Sequence, residues 1–265
     1  MYLEERRQAI LKLTTDHGRV AVADLSAQFG VSEVTIRADL QALAERGLIV
    51  RTYGGAISAT YGLHELSLLQ RRQQHIPEKQ RIGAAGAALV ADGEAVFLDS
   101  SSTALIVAQQ LKQRRDLTLV TNSLVIAQEM LGLSNINVVM PGGTLHHDTV
   151  SLIGPDELAF LEKYHIQKGF FGAYGLSLIA GLTDVSAPES EIKRPLVGMC
   201  YKVIVVLDAT KWGRIGVTSY ADLADVDTII TDDQAPADLV DQVRASGVEV
   251  IIVEKHKTYQ IQKER

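Results

Sequence analysis

The sequence predicts an α/β protein in two parts, a small and mainly helical head and a larger body with a mainly parallel sheet. For the body, two observations carry the prediction. Beyond residue 80, runs rich in Val, Ile and Leu alternate with amphipathic helical stretches, and those runs are apolar throughout rather than at every second residue. Strands of that kind are buried on both faces, as in a parallel sheet covered by helices. The head rests on a third observation: short apolar-periodic segments follow one another before residue 47, separated by Gly18 and Gly30. A chain of 265 residues has room for both parts.

In the head, residues 4–16 read as a first helix with Ile10 and Leu13 toward the core, ended by Gly18. Val22, Leu25 and Phe29 fall at spacings of three and four in a second helix, which Gly30 closes. Ser32 can cap a third helix by accepting from the backbone N–H of Val34 or Thr35. Ile36, Leu40 and Leu43 give that helix one core face, and Gly47 stops it. Leu48, Ile49 and Val50 then read as a strand, with a tight turn at Gly54 and Gly55. This succession, over residues 1–57, is a helix-turn-helix followed by a wing.

The outward side of the third helix carries Val34, Thr35, Arg37, Ala38 and Gln41, short and lightly polar. A merely solvated face more usually shows Glu and Lys pairs. The face therefore suits double-stranded DNA. Ser32 and the helix N-terminus are placed for a phosphate, Arg37 for a guanine edge or a phosphate, and Arg51 and Tyr53 for the backbone from the wing. The competing reading is a small helical unit that only packs on the body.

Residues 58–79, including "RRQQHIPEKQR", read as a polar linker. The body, residues 80–253, then alternates. A helix at 80–90 precedes the strand "AVFLD", and a helix at 104–114 precedes "LTLVTN". A helix at 123–131 leads to "INVVMPGG", one near 155–164 to "GFFGA", and one at 188–200 to "KVIVVLDA". "DTIITD", the helix "ADLVDQVRAS" and "VEVIIV" finish it, and residues 254–265 form a polar tail.

The net charge of −6 falls wholly beyond residue 60, because the head balances its acidic and basic residues. Net charge thus neither supports nor excludes nucleic acid, and local placement must decide. The single cysteine, Cys200, cannot form an internal disulfide and fits a reducing cytoplasm. The N-terminal text lacks a secretory pattern, and no apolar run is long enough to span a bilayer, so no membrane partner is expected.

The loops after the body's strands hold the second set of signals. "FLDSSSTA" brings the hydroxyls of Ser100, Ser101, Ser102 and Thr103 to the start of a helix, which suits a phosphate, although such residues also simply cap helices. Thr121, Asn122 and Ser123 repeat the arrangement, Gly142 and Gly143 allow close backbone approach, and Lys211 and Arg214 follow a later strand. The carboxyl ends of strands are where open α/β sheets bind ligands. His146, His147 and Asp148 do not suggest a metal, since neighbours on a strand point to opposite sides. No cofactor is expected.

The text "RRQAILKL…GRVAVADLSAQFGVSEVTIRADLQALAERGLIVRTYGGA" strongly resembles the DNA-binding half of the deoxyribose-repressor (DeoR) family of bacterial regulators. The order of body loops resembles that family's effector domain and, more distantly, the ribose-5-phosphate isomerase fold. The resemblance implies a sugar-phosphate pocket made by Asp99, Ser100, Ser101, Ser102, Thr103, Thr121, Asn122, Ser123, Gly142, Gly143, Glu191, Lys193 and Lys211. It has departures. Ala38 stands where the family often has a second arginine, Ser101 where it usually has glycine, and Gln167 and Tyr174 where aspartates are common. The isomerases carry two acidic residues where this chain has Tyr174 and Gly175, and neither can serve as a carboxylate base at neutral pH. The expectation is therefore a cytoplasmic, homo-oligomeric repressor of sugar-catabolism genes without catalytic residues. The alternative is an isomerase with a DNA-binding appendage.

Overall fold

The computed structural model describes residues 3–17, 19–45, 48–52, 54–58 and 68–255. The chain divides into two compact units, residues 1–64 and 65–265. Gly18, Gly47 and Tyr53 lie outside the described residues.

The first unit contains α1 (Leu3–His17), β1 (Arg19–Ala21), α2 (Val22–Phe29), α3 (Glu33–Glu45), β2 (Ile49–Thr52) and β3 (Gly55–Ser58). Its core is Ile10, Val22, Leu25, Ile36, Leu40, Leu43, Ile49 and Ala56. Gly30 caps α2 in the left-handed region at φ 64°, which turns the chain toward α3. The three strands pair antiparallel in the order β1-β3-β2. Gly55 is required there, since a Cβ would lie 1.9 Å from the Val20 carbonyl oxygen across the sheet.

The second unit begins with α4 (Leu68–Arg72) and α5 (Ile76–Ala88), so much of the text read as linker is built into it. Leu68 and Lys79 are buried. Then follow β4 (Ala95–Leu98), α6 (Ser102–Leu111), β5 (Leu117–Thr121), α7 (Leu124–Glu129) and β6 (Ile136–Val139). The hairpin of β7 (Thr144–His146) and β8 (Ser151–Ile153) leads through a 3-10 turn, Pro155–Lys163, where the periodicity predicted an α-helix. Next come β9 (Ile166–Phe171), β10 (Gly175–Ser177), β11 (Gly181–Asp184), α8 (Ala187–Gly198), β12 (Cys200–Val206) and β13 (Thr218–Ala221). The unit closes with β14 (Thr228–Asp232), α9 (Ala237–Ala245) and β15 (Glu249–Val253).

Seven strands form one wholly parallel sheet in the order β15-β14-β12-β9-β4-β5-β6. Alternate side chains feed two cores. Phe97 and Phe171 face α8, whereas Val96, Leu98 and Phe170 face α5 and α6. From β4 the chain proceeds outward in one direction to β6, and from β9 in the other to β15. The direction reverses between β4 and β9, and at such a switch point the two diverging loops leave a crevice at the strands' carboxyl ends. A second sheet, β10-β11-β13, is antiparallel and had no counterpart in the sequence reading.

Candidate DNA-reading face and ligand site

On α3, Ser32 Oγ accepts from the Thr35 N–H at 3.2 Å, the expected cap. Glu33, Val34, Arg37, Ala38 and Gln41 are exposed and Thr35 is half-buried, while Ile36 and Leu40 pack inward. Arg37 Nη2 donates to Glu33 Oε2 at 2.8 Å, one turn back. Arg51 on β2 donates to Gln41 Oε1 at 2.7 Å, which ties the wing strand to α3. One device escaped the sequence reading. Asp39, on the inner side of α3, receives Arg6 Nε at 2.6 Å and Arg7 Nε at 3.0 Å and pins α1 to α3.

The loops expected to meet a ligand lie at the switch point. Asp99 directly follows β4, and its Oδ1 accepts from the Ser101 N–H at 3.0 Å. Its Oδ2 reaches across to the next strand and accepts from the Gly172 N–H at 2.8 Å. Ser101 Oγ caps α6 by accepting from the Ala104 N–H at 3.1 Å. Ser100, Ser101, Ser102 and Thr103 are all buried. Gly172 permits this closeness, since a Cβ there would lie 2.4 Å from that of Ser101.

Lys193, on α8, is the hub. Its ammonium meets Asp99 Oδ2 at 3.0 Å, Asp184 Oδ2 at 2.8 Å and the Gly172 carbonyl at 2.9 Å. Three N–H donors meet three acceptors, so Lys193 ties the loops together. Burial opposes its charge, but Asp184 and Asp99 outweigh burial and hold the ammonium well above the usual lysine value. Burial pushes the Asp184 carboxyl up, with Lys193 pulling it back. Asp184 Oδ1 also accepts from the Tyr174 N–H at 3.1 Å. Tyr220 donates to the same Gly172 carbonyl at 2.9 Å.

The structure separates two carboxylates of α8. Glu191 is exposed on the outer face of α8, and Glu189, two residues earlier, is the buried one, accepting from Ser100 Oγ at 3.3 Å. Two residues on a helix are about 200° apart, so only one of the pair can share the side of Lys193, and that is the one four positions away.

After β5, Thr121 Oγ1 donates to the Leu98 carbonyl at 2.7 Å, and Ser123 caps α7. Asn122 Nδ2 donates to the Leu152 carbonyl at 3.2 Å, and the Leu152 N–H donates to the Asn122 carbonyl at 2.8 Å. That pairing fixes the amide's orientation and leaves Asn122 Oδ1 buried without a hydrogen-bond partner among the described residues. The hairpin behind it is tight. Val150 has φ 50°, and its carbonyl accepts from the Leu124 N–H at 3.0 Å. Gly142 and Gly143 are exposed, and Gly143, at φ 127°, lies against the Ile153 carbonyl.

Lys79 is the residue the sequence reading missed. Gly83 and Gly86 of α5 let α6 come close, since a Cβ on either would meet Ile106 or Val107. The two helices run in parallel with their N-termini at the same edge, and Lys79 lies in the first turn of α5. Its Nζ donates to the Arg71 carbonyl at 2.6 Å. Burial pushes its pKa down to about 8. Asp208, after β12, opposes the shift, while Lys211 and Arg71 add to it. Lys211 and Arg214 flank the Tyr174 ring at 5.8 and 6.0 Å from its centroid. One edge of the sheet thus gathers cations, hydroxyls and helix N-termini.

The DeoR-like helix-turn-helix domain model matches residues 6–61, and the DeoR C terminal sensor domain model matches residues 74–233. This chain belongs to the DeoR family of transcriptional regulators. Relatives agree over nearly the whole length. The putative aga operon transcriptional repressor of Escherichia coli O157:H7 is 33% identical over 94% of this chain and 93% of that protein. The transcriptional repressor GlcR of Bacillus subtilis is 34% identical over 96% and 98%, respectively. The ribose 5-phosphate isomerase of Methanocaldococcus jannaschii is similar at a TM-score of 0.39 and 16% identity, over 51% of this chain and 54% of that chain. The DeoR-family chain is a DNA-binding transcription regulator with a sensor domain. Among the described residues no helix is long and apolar enough to cross a membrane.

Proposed function

We propose that the sensor domain binds a phosphorylated sugar at the switch point, and that its occupancy controls the grip on operator DNA. The observation that carries this reading is the meeting of the α5 and α6 N-termini with Lys79, Lys211 and a loop of hydroxyls at one sheet edge. Helix N-termini and ammonium groups favour a phosphate dianion. The Asn122 Oδ1, which accepts no hydrogen bond among the described residues, suits a sugar hydroxyl. The regulated genes are those of sugar catabolism, the effect is repression, and the site of action is the cytoplasm. A homo-oligomer follows from the need of paired half-sites for symmetric subunits.

We read the site as non-catalytic. Proton transfer between adjacent sugar carbons needs a carboxylate free to swing to the reacting carbon. Both oxygens of Asp99 and of Asp184 already accept hydrogen bonds from backbone N–H groups or Lys193. Thermal unfolding in the presence of a panel of sugar phosphates and their unphosphorylated parents tests the assignment. A ligand at 100 times its Kd adds about 2.7 kcal/mol. Lys211→Ala should weaken that ligand by roughly 10- to 150-fold and leave ligand-free operator affinity unchanged. Phosphorylated and parent sugars shifting the transition equally would overturn the reading.

A further inference from the structure

We propose that Val34, with Ala38 one turn on, reads the 5-methyl group of thymine in the operator's major groove. The inference rests on α3 being the recognition helix. Val34 is the second residue of that helix, and N-terminal residues of a recognition helix meet base edges. The polar side chains around it are drawn aside: Arg37 is held by Glu33 at 2.8 Å, and Gln41 accepts from Arg51 at 2.7 Å. Val34 itself is 73% exposed. A lone exposed valine is ordinary. What sets this one apart is position, since Val34 and Ala38 are four residues apart and form an apolar stripe along the exposed side.

Base edges in the major groove present donors, acceptors and one apolar group, the thymine methyl. A stripe without polar atoms can gain from that group alone. Valine is also stiff at χ1 in a helix, so its two methyl groups are already in place before DNA arrives and little side-chain freedom is lost on binding. Cytosine, with hydrogen at the same ring position, leaves the stripe facing a gap.

The test uses the full chain. Binding sequences are selected from a random duplex library, and each thymine of the selected duplex is replaced in turn by deoxyuridine, which pairs alike and lacks only the methyl. One position per half-site should bind about fourfold more weakly, the equivalent of about 0.8 kcal/mol for one methyl-sized group. In Val34→Ala the same replacement should make no difference. That variant sits at an exposed helical position and exchanges valine for the best helix former, so its thermal transition should match the parent's. A parent indifferent to every replacement, or a variant that keeps the full penalty, overturns the thymine assignment while DNA recognition stands. Failure to select any sequence overturns recognition by α3 and this proposal with it.

Discussion

Replacing Lys193 by methionine should unfold the sensor domain well below the parent's temperature. The ammonium is the cation shared by Asp99 and Asp184, at 3.0 and 2.8 Å, and all three side chains are buried. Removing one partner of such a group strands the others, which typically costs 3–5 kcal/mol, about the worth of an uncompensated buried charge. For a domain of this size, each kcal/mol moves the transition by about 2–4 °C, so a fall of about 6–20 °C is expected. The pH dependence has a definite sign. Burial already raises the Asp184 carboxyl, and without Lys193 it rises further above its unfolded value. A carboxyl raised in the folded state favours folding while protonated, and that contribution is lost as pH climbs through the folded pKa. The gap between parent and variant should therefore widen from pH 5 to pH 8. Adding Asp184→Asn to Lys193→Met should recover part of the loss. Calorimetry resolves the sensor transition from that of the DNA-binding unit. A variant melting within about 2 °C of the parent, with a gap flat in pH, would refute the reasoning, because one kcal/mol alone moves the transition that far.

Other consequences follow from single sites. Arg37→Ala and Arg51→Ala should each lower the salt slope of operator binding by about one, as the loss of a phosphate contact does. A double variant that binds as the parent does in a mobility-shift titration would remove both from the interface. Affinity for a phosphosugar should fall as pH rises above 8, since Lys79, depressed to about 8 by burial, loses its proton there. Binding at pH 8.5 should then take up a proton, seen as a buffer-dependent heat in calorimetry, and identical heats in two buffers would place Lys79 away from the phosphate. Val150, a β-branched residue at φ 50°, carries backbone strain of about 1–3 kcal/mol that glycine relieves at a cost of about 0.5–1 kcal/mol. Val150→Gly should raise the sensor's transition temperature, and a lowered one would mean that side-chain packing outweighs the strain.

What the sequence made legible was local. The spacing of Val22, Leu25 and Phe29, the Gly30 cap and the Ser32 cap are each settled within a few residues, and α2 and α3 follow from them. Apolar runs likewise announced the parallel strands. Their order could not be read, because it depends on which loops cross the sheet, and so the adjacency of β4 and β9 was invisible. The strands of β10, β11 and β13 are three or four residues long and include Gly175 and Gly181, too little text to register as strands. Lys79 was hidden in a polar stretch, although Gly83 and Gly86 spaced along the same helix signalled a close neighbour. Glu189 was within reach of helical arithmetic. Glu189, Ile192, Lys193 and Leu196 share one buried stripe, and Glu191 lies off it.

The placement of charge divides the proposed ligand site into two kinds of residue. Lys193, Asp99 and Asp184 lie between β4, β9 and α8, joined to backbone groups on both sides of the strand reversal. The crevice that a switch point opens is therefore closed at its base by an ion network, which holds Ser101 and Gly172 together while α6 begins directly above. Any change there alters the floor of the site and the stability of the domain at once. Lys79 and Lys211 sit at the rim, one on a helix that precedes the sheet and one on a turn after β12. Burial depresses the Lys79 pKa to about 8, Asp208 opposes the shift, and Lys211 adds to it. In the proposed complex a phosphate between Lys79 and Lys211 would attract both ammonium groups and raise the Lys79 pKa again. Lys79 is buried and tied to the Arg71 carbonyl, whereas Lys211 is half-buried, so Lys211→Ala should change ligand response without the loss of stability that Lys193→Met produces.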